Sequence, residues 1–187
     1  MVTLSRIYTK TGDQGETGLG DGSRISKASL RITAIGAVDE TNSAIGIARL
    51  NAEGDADAML SRIQNDLFDL GADLCAPEGG RKAEGRLRIA PAQVERLERE
   101  IDAMNAKLSP LTSFVLPGGA ALAAHLHLAR AIARRAEAAM VALAAEEKIN
   151  DAALRYANRL SDHLFVMART ANNAGMGDVL WIPGENR

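Results

Sequence analysis

From residue 27 onward, apolar and polar positions alternate with a helical period, broken at only a few places. Ser26 reads as the cap of a first helix over residues 27–50, in which Ile32, Gly36, Asp39, Ser43 and Gly46 share one stripe. That stripe sets one carboxylate among small residues: Asp39 is either solvated or awaits a cation on a closely approaching helix. A second helix is predicted over 56–74, with Leu60, Ile63, Leu67, Leu70 and Leu74 as its seam and Cys75 at its end. Pro91 suits the first turn of a third helix. There Val94, Leu97, Ile101 and Met104 oppose the run Glu95, Arg96, Glu98, Arg99, Glu100, which reads as a solvated face. Gly118 and Gly119 release a fourth helix over 120–147, and Asn150 or Asp151 caps a fifth over 150–172.

The connections are as informative as the helices. Residues 76–88, APEGGRKAEGRLR, form the most loop-like segment and are expected to be mobile. Residues 111–119, LTSFVLPGG, are a short apolar run stopped by Pro-Gly-Gly. They either link two helices against the core or project Phe114 into a pocket. Gly175 and Gly177 end the last helix and leave a tail that can run extended. The expected fold class is all-α in a single domain, with a glycine-rich N-terminal loop (6–27), a five-helix bundle (27–174) and a tail (175–187).

Composition narrows the class. Hydrophobic residues make up 47% of the 187, yet aromatics only 3%, which suits closely packed helices better than sandwiches or barrels. A net charge of −2 gives no electrostatic case for nucleic acid or membrane partners. One cysteine excludes an internal disulfide. The absence of an apolar leader or of a bilayer-length apolar run points to a soluble, cytoplasmic protein. His125 and His127 lie two residues apart on a helix, about 200° around it, so they cannot share a metal. No HExxH, ExxH or nucleophile elbow occurs, and the missing ExxH excludes a di-iron bundle.

Three stretches hold candidate chemistry. Residues 8–27, YTKTGDQGETGLGDGSRISK, carry five glycines and three threonines, with Lys10, Arg24 and Lys27 spaced among them. Glycine lets main-chain N–H groups converge on an anion, and the hydroxyls and cations match a polyphosphate. The alternative is an exposed, flexible loop. Arg130, Arg134 and Glu137 form a narrow stripe on the fourth helix, either as a site or as surface ion pairs. Arg155, Asn158, Asp162, Phe165 and Arg169 share a face of the fifth, too polar for ordinary core. That face either lines a wet cavity or meets another subunit.

Taken together, TKTGDQGETGLGDGSRISK, GAVDETNSAIG, FVLPGG and RYANRLSDHLFVMAR, with Arg130, Arg134 and Glu137 between the last two, resemble the ATP:cob(I)alamin adenosyltransferases of the trimeric helical-bundle type. The match spans nearly the whole chain in order. The resemblance implies a ferritin-like five-helix bundle and transfer of the 5′-deoxyadenosyl group of ATP to Co(I) of a corrinoid, releasing triphosphate. It implies an ATP site of Thr9, Lys10, Thr11, Gly12, Asp13, Gly15, Thr17, Gly18, Arg24 and Lys27 from the loop, with Arg134, Arg135, Glu137 and Asn158 from the helices. Lys27, Arg134 and Phe114 would carry the catalysis, Phe114 closing the lower face of the corrinoid and Asp39 pairing with Arg130. Mg²⁺ would ride on the phosphates without a dedicated protein site. A homotrimer with each ATP between subunits is implied, with a flavin reductase and an adenosylcobalamin-dependent enzyme as further partners. Ile35 and Thr41 stand where the family commonly has tyrosine and leucine. Two rivals use the same loop: an ATP-dependent phosphotransferase, and a non-catalytic module that binds ATP or corrinoid.

Overall fold

A computed structural model describes residues 7–79 and 85–187. Residue 6 of the expected N-terminal loop and residues 80–84 of the expected mobile connection lie outside the described residues. The order is a small hairpin, β1 (Glu16–Gly18) and β2 (Arg24–Ser26), then α1 (Leu30–Arg49), α2 (Gly54–Leu74), α3 (Pro91–Asn105), α4 (Ala121–Glu146) and α5 (Asp151–Ala171). All five predicted helices are present. α1 packs on α2 and α4, and α5 packs on α4 and α3.

Small residues bring α1 and α4 together. Ala34, Ala37, Ala44 and Ala48 are buried on one, Ala123, Ala129, Ala133 and Ala136 on the other. Bulk is supplied elsewhere, by Leu60, Ile63, Leu70, Leu97, Leu126, Met140, Leu160 and Leu164, all fully buried. Each contributes about 1.5–3 kcal/mol by leaving water. No helix among the described residues is long and apolar enough to cross a membrane.

Two expectations are corrected. Ser29, not Ser26, caps α1, its hydroxyl accepting from the Ile32 N–H. Ser26 ends the hairpin and accepts instead from Ala28 N–H, so Lys27 precedes the helix rather than opening it. Asn150 caps α5 as expected, accepting from Ala152 N–H at 3.0 Å.

The charged run on α3 is more than a solvated face. Arg96 pairs with Asp66 of α2, Glu98 with Arg159 of α5 at 2.8 Å, and Glu100 with both Arg62 and His163. Asp66, nearly buried, also accepts from Gln93 and from the Tyr156 hydroxyl at 2.7 Å. Burial, then the Asp66 charge, pushes the Tyr156 hydroxyl far above its ordinary pKa, so it stays a donor. Burial pushes the Glu100 carboxyl up, but hydrogen bonds from His163 and Arg62 outweigh it and hold it below the usual range. These pairs fasten α3 to α2 and α5 away from the α1–α4 side.

Candidate active site

The glycine-rich segment is an ordered hairpin. Thr17 faces Ile25 in the antiparallel pair, and Lys27 N–H closes it onto Gly15 O at 2.8 Å. The Arg24 guanidinium donates to Thr11 O at 2.7 Å and to Glu16 O at 3.3 Å. Arg24 thus gathers the 11–16 turn from within. Thr9 and Thr11 join hydroxyls at 2.9 Å. Lys27 folds over the same turn: a Cβ on Gly12 would lie 2.9 Å from its Nζ, a close approach that glycine permits. Lys10 (φ 62°) and Gly15 (φ 82°) take left-handed backbone, Asp13 sits in the turn between them, and Thr17 and Gly18 follow in β1. Neither Lys10 nor Lys27 has an ion-pair partner among the described residues. The hairpin tip is tied to the end of α2 by Gly20 N–H donating to Cys75 O at 2.8 Å, and Arg86 donates to Gly20 O.

The α4 stripe lies apart from the hairpin in the element order but presents matching chemistry. Glu137 accepts from Asn158 Nδ2 at 2.8 Å, which joins the α4 and α5 candidates. Arg134 is exposed and without an ion pair among the described residues. One turn away, Arg130 is half-buried, and its Nε has no hydrogen-bond partner among the described residues. Burial, then the nearby Arg134 charge, lowers the Arg130 pKa. Two adjacent cations without a counter-charge on an otherwise alanine-rich helix define a place for an anion. Arg135 is occupied differently, paired with Glu40 of α1.

Two cavities flank this machinery. One, of about 490 Å³, lies among the 111–115 run, Arg130 and Phe165, with Phe114 projecting into it and 76% exposed. The other, of about 390 Å³, lies on the α1–α2 side and is lined by Ile32, Ile35, Gly36, Asp39, Phe68 and Cys75. Phe68 is 73% exposed. Asp39 is exposed and makes no ion pair among the described residues, so Asp39 and Arg130 do not meet within one chain. Thr41 is buried and donates to Ala37 O at 2.8 Å, leaving Ile35 as the departure that faces the cavity.

On α5, Arg155, Asn158 and Asp162 are exposed and Phe165 half-buried, whereas Arg169 is buried. Arg169 belongs to a different device. It pairs with Asp178 of the tail at 2.8 Å and donates to Ser109 O at 2.9 Å. The tail's part in the site was not read from the sequence. Its signal is VLWI, an apolar run with β-branched and aromatic members directly after a glycine turn.

Residues 7–171 match the family model described as cobalamin adenosyltransferase. A cobalamin adenosyltransferase of Cupriavidus metallidurans is 50% identical over 181 residues, covering 95% of both chains. A corrinoid adenosyltransferase of Mycobacterium tuberculosis is 49% identical over 190 residues, covering 100% of this chain and 97% of its own. Among solved structures, a phenylalanine-to-histidine variant of the PduO-type ATP:corrinoid adenosyltransferase from Lactobacillus reuteri, complexed with cobalamin and ATP, superposes with a TM-score of 0.88 at 37% identity. That superposition covers 95% of this chain and 97% of the other. The hairpin, the unpaired arginines of α4 and the Phe114 cavity therefore sit within a shared sequence and a shared bundle, and the chain belongs to the cobalamin adenosyltransferase family.

Proposed function

We propose that this protein transfers the 5′-deoxyadenosyl group of ATP to Co(I) of a corrinoid, leaving triphosphate. The observation that carries the reading is Arg134, a cation without an ion pair among the described residues, one turn from the Phe114 cavity that Arg130 lines, together with a hairpin of polyphosphate type. Co(I) is itself a strong nucleophile, so no serine, cysteine or general base is needed. It attacks the 5′ carbon, the C–O bond breaks, and the electron pair departs on the triphosphate. Arg134, Lys27 and the 9–18 amides supply preorganised positive charge to that leaving group. Glu137, oriented by Asn158, contacts the nucleotide. Arg24 acts by shaping the turn, and Arg135 by its link to Glu40.

Each site is shared between subunits of a homotrimer. Asp39 from the α1–α2 cavity of one subunit meets Arg130 of the next, giving a half-buried guanidinium the carboxylate it lacks among the described residues of its own chain. The exposed Phe68 and the cavity beside it then face the corrinoid rather than water. Mg²⁺, a hard cation that keeps much of its hydration, rides on the phosphates. The Glu137 oxygen not taken by Asn158 is an acceptor that suits its water shell. The cytoplasm, where ATP is abundant, and a flavin reductase supplying electrons fit this reaction.

Anaerobic mixing of the protein with ATP and chemically reduced cobalamin tests the reading. Adenosylcobalamin and intact triphosphate should form together. ADP or AMP as product would establish a phosphotransferase, and binding without turnover a delivery module.

Phe114 has a narrower role. An apolar ring at the lower face displaces the axial ligand and leaves four-coordinate Co(II), which is easier to reduce; exclusion of water favours the same state. Phe114→Ala should therefore slow the reaction by about tenfold or more when it starts from Co(II) with a biological reductant, because truncating a ring that packs on the corrinoid removes ~1.5–3 kcal/mol. Starting from Co(I) should restore most of the rate. Equal losses from both starting points would remove the ligand-displacement role.

A further inference from the structure

The Phe114 side chain is not held by the bundle core. At 76% exposure its posture must come from its own segment and whatever pairs with that segment. The partner is the C-terminal tail. Leu116 N–H donates to Val179 O at 2.7 Å and Trp181 N–H to Phe114 O at 2.8 Å, around an antiparallel bridge between Val115 and Leu180. Ser113 Oγ donates to Trp181 O at 2.6 Å. The Trp181 ring then stands 5.9 Å from the Phe114 ring, tilted by 56°, the spacing of a favourable aromatic pair.

The tail is itself anchored from below. After α5 the chain reverses through Asn173 (φ 54°), Ala174 (φ 52°) and Gly175 (φ 84°). Asp178 is then gripped by Arg169 at 2.8 Å and by Asn172 Nδ2 at 3.2 Å, with the Asp178 side chain 2% exposed. The same Asn172 accepts from Ala120 N–H at 2.9 Å and donates to Gly118 O at 3.2 Å. A Cβ on Gly119 (φ 96°) would collide with that amide, so the Pro-Gly-Gly turn and the tail are fitted to each other. Asn172 therefore ties the Pro-Gly-Gly end of the Phe114 run to Asp178 of the tail, Arg169 links the same Asp178 to Ser109 just before the run, and Trp181 touches the aromatic ring itself. Trp181 is 44% exposed, so its ring is not simply filling core.

We propose that Trp181 is a positioning residue for Phe114, holding its ring in the attitude that closes the lower face of the corrinoid. This rests on the proposed role of Phe114 and extends it to the tail. Trp181 acts before chemistry, at the change of cobalt coordination, and has no part in binding ATP or stabilising triphosphate.

The test is a double-mutant cycle on the full-length protein, with cobalamin supplied as Co(II) or Co(I) and saturating ATP. Trp181→Ala should lower the Co(II)-initiated rate by about five- to tenfold, the scale of one aromatic pair, and leave the Co(I)-initiated rate and KM for ATP unchanged. The four-coordinate Co(II) signal in electron paramagnetic resonance should shrink in parallel, and Trp181→Phe should restore most of it. Phe114→Ala combined with Trp181→Ala should be no slower than Phe114→Ala alone, because the tryptophan works only through that ring. Independent, additive losses, an unchanged Co(II) signal in Trp181→Ala, or equal loss from both starting states would overturn the proposal. Should Trp181→Ala fold poorly by circular dichroism, Trp181→Leu, which keeps bulk but not the aromatic ring, and Ser113→Ala carry the same comparison with smaller perturbations. A Phe114→Ala enzyme without selective loss from Co(II) would instead remove the lower-face role, and the positioning role with it. Selective loss in Phe114→Ala but none in Trp181→Ala would reject the positioning role alone.

Discussion

Arg134→Ala should lower kcat/KM for ATP by about 10²–10³, the cost typical of deleting one preorganised donor aimed at developing charge. The loss should be the same from Co(II) and from Co(I), which separates it from Phe114. The physical reason is the electrostatic situation on α4. Arg134 is exposed and makes no ion pair among the described residues, and burial together with its charge lowers the pKa of the half-buried Arg130 one turn away. A bound triphosphate relieves that repulsion most when its charge is greatest, at departure. Stability should hardly change, because the removed side chain is solvated and makes no ion pair among the described residues. Arg134→Lys should lie between, keeping the charge but losing the planar fork that grips two phosphate oxygens. The readouts are steady-state kinetics at varied ATP and thermal melting by circular dichroism. Turnover within twofold of wild type in a folded Arg134→Ala enzyme would move the leaving-group site elsewhere.

The helices were legible because their signal is local. Apolar spacing in Leu60, Ile63, Leu67, Leu70 and Leu74 declares a buried face without knowledge of what covers it. The first cap was misplaced because Ser26 and Ser29 are both good caps, and only the hairpin shows that Ser26 is already used. The strands themselves carry little propensity: Glu16–Gly18 and Arg24–Ser26 are held in register by the turn between them and by Arg24 reaching back to Thr11 and Glu16. The α3 charge run hid its partners for a related reason. Asp66, Arg159, Arg62 and His163 come from other helices, and nothing local distinguishes a glutamate facing them from one facing water.

Within the site, stripes on a single helix were readable and meetings between segments were not. Arg130, Arg134 and Glu137 follow from α4 alone, and the structure adds only the bond from Asn158. The tail's engagement of the Phe114 run depends on contacts between residues as far as 68 positions apart, so the sequence shows two short apolar runs and no sign that they pair. The resemblance of the blocks to a known family supplied the substrate; the geometry supplied which cations are free to serve it. Arg24 and Arg135, equal candidates with Lys27 and Arg134 by residue type, are already committed to neighbours in the fold.

Mixing inactive subunits should recreate activity. Lys27→Ala and Arg134→Ala proteins should each lose nearly all turnover, since each removes a cation assigned to the same triphosphate. The structure keeps the corresponding halves in separate places on one chain. The hairpin is tied to the end of α2 through Gly20 and Cys75, and Asp39 lies in the α1–α2 cavity. Arg130 lines the other cavity, on the α4–α5 side, with its Nε unpartnered. The proposed head-to-tail ring would bring the first half of one subunit to the second half of the next, using the same contact at every interface. In randomly mixed trimers, a site whose hairpin comes from an Arg134→Ala subunit and whose α4 comes from a Lys27→Ala subunit is wild type at both positions. With equal mixing that combination occurs at about one site in four, so the mixture should recover up to about a quarter of the wild-type rate. Subunit exchange is verified by two affinity tags of different size and the rate read by adenosylcobalamin formation. A mixture that exchanges subunits fully yet stays as inactive as its components would mean that hairpin and arginines serve one ATP within a single chain, and the shared site would be wrong.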